Sequence, residues 1–236
     1  RMIATFMNCA LVLAGSMIGM LFKNRISRQL TVALTHALGL CVLGIGLSSA
    51  VKTNHMLCVI VCMVAGTLLG EALNIEGRLD GAGEFLRARL MKKGENSRFT
   101  EGFVTASVLY CVGSMAIMGT MEAGIHHNYS ILISKGVIDG VTSIGFAAAM
   151  GVGVAFSALP LLVYQGALTL LASAVGPVLP AAVVTEMSAT GGTVIAGIAI
   201  NMLGLGKSKL RVGNMLPAIF LPIVYIPLAD WLGRLF

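Results

Sequence analysis

Residues 140–185 read GVTSIGFAAAMGVGVAFSALPLLVYQGALTLLASAVGPVLPAAVVT and contain no Asp, Glu, Lys or Arg. One membrane crossing takes about 20 predominantly apolar residues, so these 46 residues are long enough for two. Ser157-Ala158-Leu159-Pro160 in the middle of the stretch reads as a tight turn. The expectation is a helical hairpin. Working outward, the charge-free windows 187–206 and 212–229 follow it, and 2–22, 29–51, 53–70 and 102–121 precede it, each closed by charged residues such as Lys23, Lys52, Glu71 and Glu101. Eight spans result. The first window has the length of a signal peptide, but no basic run precedes it and a basic loop follows, so it is read as a span. The chain starts at Arg1, and an initiator Met is expected to have been lost or left out.

Composition agrees with this reading. Charged residues make up 11% of the 236-residue chain, against roughly 25% in ordinary soluble domains. Hydrophobic residues make up 57%, and the mean hydropathy is +0.91. A soluble enzyme and a soluble nucleic-acid binder are both excluded, because no hydrated basic face exists to carry the net charge of +6. That charge instead orients the chain in a bilayer. The loops after spans 1, 3 and 7 hold Lys23, Arg25, Arg28, Arg78, Arg87, Arg89, Lys92, Lys93, Arg98, Lys207, Lys209 and Arg211, twelve in all. The opposite side has four: Arg1, Lys52, Lys135 and Arg234. By the positive-inside rule both termini are expected outside and the basic loops in the cytoplasm. Merging 140–185 into one crossing would put Lys207 on the wrong side, so two crossings are favoured.

The expected architecture is an all-α integral membrane protein, one transmembrane domain over residues 1–236, in a compact and oligomeric bundle. Within it, 74–100 is read as a cytoplasmic connecting segment. Leu79, Phe85, Leu86 and Leu90 can share an apolar stripe there, either against the inner leaflet or as one side of a solvated helix. The glycines are read as contact points, since Gly15-xxx-Gly19, Gly66-xxx-Gly70 and Gly136-xxx-Gly140 give small-xxx-small faces. Pro217, Pro222 and Pro227 remove three backbone donors from the last span and predict a kink.

Ionisable residues at membrane depth are functional candidates, because each costs at least roughly 2.5–3.5 kcal/mol to insert. Glu186, Thr190, Thr193, Gly197 and Asn201 recur at spacings of 4, 3, 4 and 4, which makes one helix face polar or small. Gly191-Gly192 within it reads as a break that would offer backbone carbonyls. Lys135, Asp139, Thr142 and Ser143 form a second stripe, with Lys135 and Asp139 paired across one turn, shallow in the membrane. Each stripe reads either as interhelical hydrogen bonding or as the wall of an aqueous path. Thr190, Gln165 and Asn8 would supply neutral ligands beside the ionisable Asp139 and Glu186. Glu101 joins the candidates because Thr100-Glu101-xxx-Thr105 and Gly119 match Thr185-Glu186-xxx-Thr190 and Gly204 at an offset of 85 residues, on spans of opposite direction. That is the trace an inverted repeat would leave.

No protease, hydrolase, nucleotide-binding or dinucleotide motif is present, and no catalytic residue, cofactor or metal site is expected. Cys58-xxx-Cys62 and the Glu122, His126, His127 group are read as packing and loop residues. The expected partners are the lipid bilayer, a small ion or solute, and further copies of the chain. The function read from the stripes is secondary transport or a channel. The alternative is a non-transporting sensor, scaffold or adaptor acting through 74–100.

Glu101-Gly-Phe-Val-Thr-Ala-Ser107, Cys111-Val-Gly-Ser-Met-Ala-Ile-Met-Gly119, Lys135-Gly-Val-Ile-Asp139-Gly-Val-Thr-Ser143, Tyr164-Gln165-Gly166, Met187-Ser-Ala-Thr-Gly-Gly192 and Asn214-Met-Leu-Pro217 follow one another along the chain. This ordered set resembles the YqgA/YdfK-like family of bacterial inner-membrane proteins, a domain of unknown function, over essentially the whole length. The resemblance implies the bacterial cytoplasmic membrane and supplies no substrate.

Overall fold

The charge-free windows fold as helices, and no strand occurs among the described residues 2–23, 27–90, 98–112, 114–175 and 179–233 of the computed structural model. Helix α1 is Ile3–Lys23, α2 Arg28–Ala50, α3 Met56–Leu73, α4 Ile75–Leu90, α5 Phe99–Cys111 and α6 Ser114–Met121. A π-helical turn, Glu122–His126, leads to α7 Ser130–Met150, α8 Gly153–Phe156, α9 Ala158–Leu170, α10 Ala172–Val175 and α11 Ala181–Leu203. A 3-10 helix, Val212–Ile219, and α12, Pro222–Gly233, end the order. Six unbroken helices are long and apolar enough to cross a membrane, and two bent pairs bring the number to eight if each pair is one span. Of the basic residues that set the charge parity, Arg1, Arg25, Lys92, Lys93 and Arg234 lie outside the described residues.

Helix α11 is the axis of the bundle, with 78% of its apolar window buried. It packs along α2, while α1 packs along α7 and α3 lies against the 3-10 helix. The small residues explain these pairings. A Cβ at Gly15 would collide with the backbone of Gly140, and one at Gly19 with the backbone of Ile144, so α1 and α7 touch backbone to backbone. Gly66 and Gly70 meet Ala218 and Asn214 of the 3-10 helix in the same way.

Three sequence readings need correction. The chain does not turn at 157–160. Helix α7 ends at Gly151, whose φ of 87° stops it, and α8 and α9 run on as one span, Gly153–Leu170. Pro160 sits in the first turn of α9, where its missing N–H costs little. Span 5 therefore starts at Ser130, and Lys135 and Asp139 lie in its second and third turns. Helix α11 is also unbroken through Gly191-Gly192. Those glycines admit neighbours instead: a Cβ at Gly192 would lie 2.6 Å from the Gly46 carbonyl oxygen of α2. In α4, finally, Leu79 and Leu86 are half-buried with Gly83 packed on Thr100, while Phe85 is exposed beneath the Arg89 guanidinium, 5.1 Å above its ring.

The last span is bent by 42° between Val212–Ile219 and Pro222–Trp231, as its prolines require. A second break, of 54° between Phe99–Cys111 and Met115–His126, has no proline behind it. Val112 turns extended there, at φ −88° and ψ 142°. The two breaks meet on the axis, since a Cβ at Gly191 would sit 2.5 Å from Val112 Cγ1 and 3.9 Å from Ile219 Cγ1.

Candidate functional site

Asp139 on α7 is buried and pairs with the Lys135 ammonium one turn earlier. Its Oδ2 also accepts from Asn8 Nδ2 of α1 at 3.2 Å, and the same amide nitrogen donates to Gln165 Oε1 of α9 at 3.3 Å. Three helices thus contribute to one polar cluster in an apolar interior. Next to it, Tyr110 of α5 and Ser143 of α7 share a hydrogen bond of 2.7 Å between their hydroxyls, and Ser143 donates to the Asp139 carbonyl. Lys135 Nζ lies 6.0 Å from the centre of the Tyr110 ring.

The other candidates lie apart from this cluster. Glu186, fully buried near the start of α11, accepts from Thr53 Oγ1 at 2.5 Å and from the Asn54 N–H at 2.8 Å. Both carboxylate oxygens are engaged in tying the α2–α3 connection to the bundle axis. Thr190 donates to the Glu186 carbonyl at 2.8 Å, within its own helix. Asn201 clasps Leu210 through its N–H and carbonyl. Glu101 sits at the opposite end of the molecule from Glu186, held by Arg98 Nε at 2.7 Å and Nη2 at 3.0 Å, with Lys209 Nζ 4.0 Å away. The hydrogen bond to Glu101 holds the Arg98 guanidinium above its ordinary range. The charge count places Arg98 only as a loop charge, although its i, i+3 spacing to Glu101 is a pairing signal.

Two clefts approach each other along α5 and α11. The larger, 390 Å³, opens at the end that carries the basic loops; Arg98, Glu101 and Lys209 stand at its mouth, and Val108 of α5 and Ile198 of α11 line it. Glu76 also lines it, its carboxyl pushed above the usual range by burial, against the Gly213 N–H that it accepts. The second cleft, 240 Å³, is lined by Ser49 and Lys52 towards the other end, by Lys135, Asp139, Leu109 and Ile195, and by Ile45 and Ile138, which are exposed on the flank of the bundle. The two therefore reach the same level of the bundle. Ile195 and Ile198 are separated by about 4.5 Å of helix rise, and the side chains between the clefts are aliphatic. Neither cleft is lined by Glu186 or Thr190.

Six unbroken apolar spans, two bent ones and an ion pair buried among them define a multi-span α-helical membrane protein. The chain belongs to the family described as "Protein of unknown function (DUF554)", which matches residues 3–226. It is 32% identical over 229 residues to the uncharacterized membrane protein YdfK of Bacillus subtilis strain 168, covering 95% of this chain and 96% of that one. It is 30% identical over 222 residues to the uncharacterized protein YqgA of Escherichia coli strain K12, covering 93% and 94%. No solved structure matches it significantly.

Proposed function

We propose that the protein moves a small ion or solute across the bacterial cytoplasmic membrane, as a secondary transporter or channel that does not hydrolyse nucleotide. The observation that carries this reading is the pair of clefts lined towards opposite ends of the bundle, the first reaching Val108 and Ile198 and the second Leu109 and Ile195. A path closed by one turn of aliphatic side chains needs only a small rearrangement to open at either end in turn. The two bent spans that meet at Gly191, next to this closure, supply elements able to make it. Asp139 and Lys135 on the wall of the second cleft are the ionisable groups a permeant species would meet. The proposal places both termini outside and the basic loops in the cytoplasm, and includes assembly of several copies.

Cysteine accessibility tests the path without knowledge of the substrate. In a cysteine-free background, Thr105→Cys and Ser49→Cys are expected to react with a membrane-impermeant maleimide, each from one side of the membrane only. Unreactive cysteines at both positions would mean a dry, packed seam and would remove the proposal. Flux in proteoliposomes under gradients of inorganic ions is the second measurement, and Asp139→Asn is expected to abolish it in protein whose size-exclusion profile matches that of the wild type.

A further inference from the structure

Six buried side-chain polar atoms have no hydrogen-bond partner among the described residues, and four of them belong to Thr5, Asn8, Gln165 and Thr169. Asn8 and Gln165 belong to the cluster that contains Asp139, and Thr5 lies one turn before Asn8 on α1 and Thr169 one turn beyond Gln165 on α9. All four residues are fully buried. Leaving one buried polar group unpaired costs about 1–3 kcal/mol, and the unpaired acceptor that lies within the cluster itself, Asn8 Oδ1, points to a partner that satisfies it.

The geometry selects the ligand. Asn8 Nδ2 stands between two oxygens, Asp139 Oδ2 at 3.2 Å and Gln165 Oε1 at 3.3 Å. A half-turn of the Asn8 amide about its own axis brings its unpaired Oδ1 to that place, and three oxygens then converge. The set has one negative charge and no sulfur or imidazole, which suits a hard monovalent cation. A divalent ion would ask for more carboxylates, and a soft metal for thiolate or imidazole. Neither of the two seam clefts is lined by Asn8 or Gln165, so the position takes a bare ion and not an organic solute. A cation already occupies the carboxylate, namely the Lys135 ammonium. Lys135 has somewhere else to go, since the face of Tyr110 is 6.0 Å from Nζ and the cleft runs past both.

We infer that Asp139, Asn8 and Gln165 bind a dehydrated sodium-class cation in exchange for the Lys135 ammonium. This deepens the transport reading by naming the coupling ion, and it rests on that reading only for its purpose, not for the binding itself.

Binding is measured on the full chain in detergent, as saturable uptake of radioactive sodium and as the shift of the thermal midpoint in sodium chloride against choline chloride at equal ionic strength. The wild type is expected to bind sodium and to be stabilised by it, and Asp139→Asn to lose both effects. Lys135→Gln removes the competing ammonium; its midpoint should fall in choline, recover in sodium, and its sodium affinity should rise about tenfold. Equal midpoints in sodium and choline for both the wild type and Lys135→Gln, with no saturable uptake, would overturn the inference and leave ordered water as the occupant. Ion-gradient flux without sodium binding would also overturn it while the transport reading stands. Sodium binding without any flux would uphold it and defeat the transport reading.

Discussion

Lys135 and Asp139 are each almost wholly buried, so neither charge is solvated and each depends on the other. Removing one partner of such a pair leaves a bare charge in an apolar medium, which costs about 3–5 kcal/mol, whereas replacing both with apolar side chains is close to neutral. In sodium-free detergent solution, Lys135→Met is therefore expected to lose about that much unfolding free energy. Adding Asp139→Leu should restore most of it, and a double-mutant cycle on chemical unfolding checks the difference. The pair itself was legible in the sequence, because i, i+4 spacing brings opposite charges together on any helix. Asn8 and Gln165 were legible as polar residues at membrane depth, but not as partners of Asp139, from which Asn8 is 131 residues distant and to which Gln165 connects only through Asn8. Glu186 shows the same limit from the other side. Glu186, Thr190 and Gly197 of its stripe are buried while Thr193 and Asn201 are half-buried, and the two groups that occupy the Glu186 oxygens come from the α2–α3 connection, which has no periodicity to announce them.

At the scale of elements, glycine has two meanings that sequence does not separate. Gly15 faces the Gly140 backbone and has no room for a Cβ, whereas Gly44 on α2 has nothing within 4 Å of where one would be. Gly15→Leu is thus expected to separate α1 from α7 and lower the yield of folded protein sharply. Gly44→Ala should be neutral or stabilise by up to about 1 kcal/mol, from helix propensity alone. Size-exclusion profiles and thermal midpoints distinguish the two. The bend of the last span was readable because proline leaves no N–H to continue the ladder. The bend after Cys111 leaves a weaker trace, the Gly113-Ser114 pair, because Val112 itself is an ordinary residue for a helix and yet takes an extended conformation after α5. The turn was misplaced for a related reason: Pro160 looks like punctuation wherever it stands, but it opens a helix, while the residue that ends one is Gly151 at φ 87°.

For the molecule as a whole, the scarcity of charge gave the number of crossings, and the structure agrees with eight if both bent pairs are counted as single spans. Orientation rests on the twelve basic residues gathered in three loops. An alkaline phosphatase fused after Phe236 is expected to be active in a bacterial host, and a fluorescent protein that matures only in the cytoplasm to stay dark. The reverse pattern would invert the topology and leave the fold untouched. The seam between α5 and α11 has a further electrical consequence. Water drawn into both clefts during the proposed transport would carry the potential of each compartment inward, so that the voltage would fall mainly across the closed turn and not across the roughly 30 Å hydrocarbon core. With a rise of about 4.5 Å between Ile195 and Ile198, the local field would then be several times that in the surrounding lipid. A unit charge passing those aliphatic side chains then takes up nearly the whole of the roughly 2.3 kcal/mol that 100 mV supplies, in a single short step.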